Sequence, residues 1–300
     1  MKSLLYRALN KFTHKSQWYD QFWGGVTKFW NINTFNLDVV NLGSNSGKYA
    51  FDYSEQPVKG MNWAVGPQSL LHDFNILKNY FSYLKENGTV IIPLCPFSCL
   101  QSPYTKASNL KYYTFLHPAT IIDFQEEERV KALTIKNNPA KAMPAFCIKK
   151  EVRELIHKLT PKKQQSVSFK QNAIWFVNMW KKQFGISDLN SPLSAKHAAE
   201  QGQKALLLSE IIEFCLERNL RPILVIPPVH SELYQLFSPE FKQNYIYSFI
   251  KKSNGRNIPF LDYMNDERFQ NDKFFSNSFF MNQLGAKQFT GTILKDLKLL

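Results

Sequence analysis

Fifteen residues near the start of the chain, Asp38 to Asp52 (DVVNLGSNSGKYAFD), restrict the possible folds more than any other stretch. Val39, Val40 and Leu42 make a short β-branched apolar run. Gly43-Ser44-Asn45-Ser46-Gly47 then breaks it with residues that favour tight turns and leave backbone N–H groups free. The pattern predicts a buried strand ending in a polar turn. In an open α/β sheet, ligands bind at the carboxyl ends of the strands, so this turn is a pocket candidate. The same residues also suit an ordinary helix cap through Ser or Asn.

The rest of the chain supplies what such a strand needs. Gly60 to Gly66 (GMNWAVG) is a second short apolar stretch, followed by Pro67-Gln68-Ser69 and a helix in which Leu70, Leu71, Phe74, Leu77, Phe81 and Leu84 recur at spacings of three and four until Asn87-Gly88. Thr89 to Cys95 (TVIIPLC) is nearly all apolar, as expected for a parallel strand covered on both faces. Regular structure returns with a helix over Ala205 to Arg218 and a strand over Arg221 to Ile226 (RPILVI). A helix over Pro239 to Lys252, a strand over Ile258 to Leu261 and a last helix from about Leu284 to Leu299 complete it. Strands separated by helices, with no two-residue hairpins, predict a parallel sheet in a three-layer α/β/α, flavodoxin-like arrangement. The predicted organisation is an N-terminal helical segment over 1–34, an α/β domain over 35–95 and 205–300, and a largely helical insertion over 96–204.

Three hundred residues bury enough surface to need no covalent staple. The four cysteines, Cys95, Cys99, Cys147 and Cys215, are sparse. The close pair Cys95 and Cys99 lacks a second Cys or His pair at metal-ligand spacing, so free thiols are expected and neither a metal nor a cofactor is. No apolar run reaches the ~18 residues of a membrane span, and the N-terminus lacks a signal peptide's apolar core. A cytoplasmic location is therefore expected. Leu5, Leu9 and Phe12 share one helical face, with Lys2, Arg7, Lys11 and Lys15 elsewhere, a pattern that suits the inner membrane face as well as packing on the protein's own domain.

Charge is unevenly distributed. Of the formal +13, the stretch from Lys131 to Lys182 carries +10, with twelve Lys or Arg against Glu151 and Glu154. Such a segment can recruit an anionic lipid or acidic glycan. Nucleic acid is the weaker expectation, because no helix-turn-helix, zinc-finger or RNA-binding aromatic signature accompanies the charge.

The turn NLGSNSGKYAFD, the segment NWAVGPQSL, the strand RPILVIPP and the C-terminal FFSNSFFMNQLGAKQFT resemble, in order and spacing, the blocks of the SGNH (GDSL-type) hydrolase superfamily. The likeness is strongest to the branch associated with bacterial surface-polysaccharide and teichoic-acid modification. It covers about residues 35 to 95 and 205 to 300, leaving the insertion unmatched. It implies a nucleophilic serine in the turn after the first strand, an Asp-x-x-His pair before the last helix, and an oxyanion site from a block-two glycine and a block-three asparagine. On this sequence the turn falls on Gly43-Ser44-Asn45, placing Asn45 at the nucleophile position. The Asp-x-x-His pair falls on Asn277 and Phe280. An amide cannot stabilise imidazolium by charge, and a phenyl ring accepts no proton. Gly66 or Ala64 takes the block-two position, and Ser98 is the polar group nearest the block-three asparagine.

Substitute groups are Ser44 and Ser46 on either side of Asn45, with His230 after the RPILVIPP strand as a base, and more weakly His72 beside Asp73. Cys95 could act as a thiol nucleophile, but an apolar strand raises a thiol's pKa. Three functions follow: a degenerate member binding an acyl or glycan ligand in surface-polysaccharide biosynthesis, an esterase or O-acyltransferase using Ser44 or Ser46, and a peripheral membrane or scaffold protein.

Overall fold

The computed structural model describes residues 2–100, 110–159 and 168–300. Lys162 and Lys163 of the basic stretch lie outside them. No helix among the described residues is long and apolar enough to cross a membrane. The chain divides into two compact units, one made of Met1–Asn33 with Tyr104–Ser166 and the other of Thr34–Pro103 with Val167–Leu300. The segment 96–204, read from the sequence as one insertion, is thus shared between the units. The physical reason lies in the Phe169–Phe184 helix: its Phe176 and Trp180 pack against Phe279, and its Asn172 accepts hydrogen bonds from the Ser278 backbone and hydroxyl, so it belongs with the C-terminal half.

The larger unit is built on five parallel strands: β1 (Leu37–Asn41), β2 (Gly60–Asn62), β3 (Leu84–Pro93), β4 (Arg221–Ile226) and β5 (Phe260–Asp262). Their order is β2-β1-β3-β4-β5, the doubly wound order of flavodoxin-like sheets. Alternation along the strands sends successive side chains to opposite faces. Val39, Ile91, Ile223 and Val225 pack with Phe289, Ile293 and Leu294 of the C-terminal helix Gln283–Asp296. The intervening Val40, Val90, Ile92 and Leu224 are equally buried and face the other side. The Ala195–Leu216 helix packs on both Leu70–Tyr80 and Ser248–Ser253, and the short Asn45–Ala50 helix packs on the C-terminal helix.

Two sequence expectations shift. The helix expected to run from Leu70 to Leu84 ends at Tyr80, and β3 begins at Leu84. Leu84 pairs with Leu37, then the register slips before Val39 pairs with Thr89. Asn87, expected to end a helix with Gly88, instead sits inside the strand at φ 60°, a conformation that Asn tolerates better than most residues. The Ala205 helix starts ten residues early, at Ala195, where Ser194 caps it by accepting from the His197 N–H.

The smaller unit is helical, with Lys2–Thr13, Gln17–Phe22, Glu126–Asn137 and Pro144–Leu159 as its main elements. Tyr19 anchors it. Its ring contacts Trp18, Trp23 and Trp30, and its hydroxyl donates to the carbonyls of Ile135 and Lys136 at 3.1 and 2.9 Å.

Candidate functional site

Beyond β1 the chain to β2 and the chain from β3 to β4 diverge in opposite directions, so a crevice must open between the carboxyl ends of β1 and β3. A cavity of about 360 Å³ occupies that place. It is lined by Ser44, Asn45 and Ser46 after β1, by Pro93, Cys95 and Ser98 at the end of β3, and by Gln68, Ser69 and Asp73 from the block after β2. An aromatic wall of Phe97, Phe176, Trp180, Phe184, Phe279 and Phe280 encloses it. These rings interlock, with centroids 4.8 to 5.9 Å apart from Phe97 to Trp180, Trp180 to Phe279, Phe279 to Phe280 and Phe280 to Phe176.

The turn is held from behind by a group that the sequence did not single out. Gly43 adopts φ 111°, which a β-carbon would strain, and its N–H donates to Asp73 Oδ1 at 2.7 Å. The Gln68 side chain donates to the same oxygen, while the Gln68 backbone N–H donates to Ser44 Oγ at 3.0 Å. Burial pushes the Asp73 carboxyl up to about 7, against the two donors that favour its charge. Asn62 fixes the far end of the short helix: its amide nitrogen donates to the carbonyls of Gly47, Lys48 and Phe51, and its oxygen accepts from the Asn41 side chain and the Ala64 N–H.

The expected site residues separate into three groups. Ser44, Asn45, Ser46, Ser98 and Phe280 line the common cavity. Among the described residues, neither the Asn45 nor the Ser46 side chain has a hydrogen-bond partner. Ser98 is engaged locally, accepting from the Cys95 N–H at 2.8 Å and donating to Cys95 Sγ at 3.4 Å. Phe280 also contacts Tyr49, at 5.0 Å between centroids. Gly43 and Gly66 support the cavity without lining it. A β-carbon on Gly66 would lie 1.6 Å from Asn45 Oδ1, so only glycine lets the Asn45 amide sit there.

Asn277 and His230 lie apart from the cavity. The Asn277 Oδ1 accepts from the N–H groups of Phe279 and Phe280 at 3.0 and 2.8 Å, closing the turn that carries Phe280 toward the cavity. Among the described residues, the Asn45 and Asn277 amides do not pair with each other. His230, considered as a substitute base, is not among the cavity residues. It caps the next helical turn by accepting from the Glu232 N–H, contacts Asp272 at 3.0 Å through Nε2, and stacks on Phe169 at 4.0 Å. A proline-rich exit from β4 (Pro227-Pro228) carries it past the crevice. His72 is buried and is not among the cavity residues, its Nδ1 3.0 Å from the Ser69 hydroxyl at the start of its own helix. Among the described residues no imidazole lines the cavity, and burial raises the Cys95 thiol, which disfavours its thiolate.

Among the described residues, the cavity therefore presents hydroxyl and amide groups, the Asp73 carboxyl and the Lys204 ammonium beside a wide aromatic face, with no imidazole next to a serine. Compared with models of known protein families and with curated protein sequences, the chain matches none.

Proposed function

We propose that this chain is a degenerate SGNH-hydrolase-like protein that holds, rather than cleaves, an acyl or glycan ligand in bacterial surface-polysaccharide (capsule) biosynthesis or modification. One observation supports the reading: Asn45 and Phe280, which the resemblance sets at the family's nucleophile and base positions, line one cavity. Binding needs shape, apolar area and a few directed polar groups, and the cavity has all three. Acyl transfer by serine needs a base within hydrogen-bond reach of the hydroxyl. Ser44 Oγ instead accepts a backbone N–H, and Ser46 has no partner among the described residues. The test is fluorophosphonate labelling together with turnover of short-chain aryl esters by the intact protein. The expected result is neither. Labelling lost on Ser44→Ala or Ser46→Ala would establish the esterase or O-acyltransferase alternative instead.

A second reading concerns the smaller unit, which we propose docks on an anionic bilayer. On the Pro144–Leu159 helix, Ile148, Val152, Leu155, Ile156 and Leu159 are 50% to 72% exposed. At 100° per residue they form one stripe along about three turns, with exposed Lys149 and Arg153 on its flank. Leu5 and Phe12 of the Lys2–Thr13 helix are exposed as well. An apolar stripe beside lysine and arginine matches the boundary between acyl chains and anionic headgroups. Co-sedimentation with phosphatidylglycerol vesicles, weaker with phosphatidylcholine and lost on joint Leu155→Asp and Ile156→Asp substitution, is the expected result. Equal recovery with both lipids, or none with either, removes this reading.

A further inference from the structure

Among the described residues, the cavity lining holds one cation, and no described side chain is bonded to it. Lys204, on the Ala195–Leu216 helix, is only 8% exposed yet lines the cavity. Its ammonium makes no hydrogen bond or ion pair among the described residues. Glu200, one turn earlier, influences it through space but pairs with Lys196 at 3.9 Å. Burying an ammonium without a partner is unfavourable, and burial lowers the Lys204 pKa accordingly. A lysine that only needed solvent could extend along the helix surface with its stem covered and its charge in water. Lys204 instead keeps its side chain within the cavity, where the remaining lining is hydroxyl, amide, sulfur, aliphatic and aromatic, together with the Asp73 carboxyl that the Gly43 N–H and Gln68 already engage.

The aromatic wall indicates what accompanies the missing anion. Phe176, Trp180, Phe279 and Phe280 offer a continuous apolar face, and about 360 Å³ is at the small end of ligand cavities. We infer that the cavity takes a medium-chain acyl anion, its chain against Phe176, Trp180, Phe279 and Phe280 and its carboxylate or phosphate on the Lys204 ammonium. This rests on the binding reading above and narrows it from an acyl or glycan ligand to an anionic acyl one. The same head-group chemistry could come from a free fatty acid or from an alkyl phosphate, and the two are separable by experiment.

The experiment is isothermal titration of the full-length protein with octanoate, octyl phosphate and octanol. Wild-type protein should bind one or both anions more tightly than octanol, and the stronger anion identifies the head group. Lys204→Met, which keeps the side chain's length and apolar stem, should weaken anion binding on the order of ten- to a hundredfold while leaving octanol binding unchanged, as expected for loss of one charge-assisted contact. Lys204→Arg should retain most of the anion affinity. Octanol binding as tightly as both anions, or a Lys204→Met protein that keeps its anion affinity and its native circular dichroism, overturns the inference while leaving a neutral ligand in place. Failure of all three ligands to bind the folded wild-type protein overturns the anionic-acyl assignment and counts against the binding reading itself.

Discussion

Asp73→Asn replaces the carboxyl behind the Gly43 turn with its neutral isostere, and the result follows from the carboxyl's burial. Asp73 is 3% exposed, and its pKa rises from 3.8 to about 7. A raised carboxyl means that the native state binds the proton more tightly than the unfolded chain does. Stability is therefore fully present below about pH 4 and is lost as the pH climbs toward about 7. At about 1.4 kcal/mol per unit, the complete loss is about 4 kcal/mol. Asparagine never ionises. Its oxygen can still accept from the Gly43 N–H, and Gln68 can turn its own oxygen toward the new amide, so the substitution itself should cost no more than ~1 kcal/mol. Urea midpoints for both proteins at pH 4, 5, 6, 7 and 8 give the difference directly, and shared contributions from other titrating groups cancel. The variant should match wild type or fall slightly below it at pH 4, gain steadily to pH 7, and remain about 2 to 4 kcal/mol more stable at pH 8. A difference that stays constant across this range would refute the claim that Asp73 is buried at a cost in its charged form. A carbon-13 titration of the Asp73 carboxyl near its ordinary value would do the same.

Gly66→Ala should destabilise the protein by about 1–3 kcal/mol by urea unfolding, because the new methyl would lie 1.6 Å from Asn45 Oδ1 and must displace that side chain. Asn62→Ala removes the donor shared by the Gly47, Lys48 and Phe51 carbonyls, and should lower stability by about 3 kcal/mol while weakening ligand binding through a loosened turn. Joint Asn45→Ser, Asn277→Asp and Phe280→His substitution should create measurable hydrolysis of a short-chain aryl ester, whereas each single change should do little, because triad residues act as a unit. A folded triple variant without turnover would count against the alignment of Phe280 with the family's base.

Much of the sheet was legible because its strands are short, apolar and bounded by strong breakers. Arg221–Ile226 was read to the residue, and β1 with its polar turn to within two. The boundary between the Leu70 helix and β3 was misplaced because Leu84 satisfies both the helical spacing and a strand pairing with Leu37, and only the sheet decides between them. Of the cavity, Ser44 to Ser46 were readable as one stretch, and Ser98 and Phe280 through the family resemblance. Asp73, Asn62 and Lys204 were not, since each acts across a long sequence separation. The available signal was weak in each case: an acid inside the apolar run LLHDF, an amide in GMNWAVG, and a lysine where the helix pattern turns apolar at Ala205. The Phe169–Phe184 helix was assigned to an insertion because its aromatic residues pack on segments a hundred residues away, such as Phe279, rather than on their neighbours.

The central claim, that this cavity holds its ligand without breaking it, is tested most directly by native mass spectrometry of the intact protein incubated with a short-chain aryl ester. The expected spectrum shows one noncovalent adduct of the unbroken ester's mass, saturable and diminished by Asn45→Trp, with no phenol released. Protein heavier by the acyl group alone, lost on Ser44→Ala or Ser46→Ala, would contradict it.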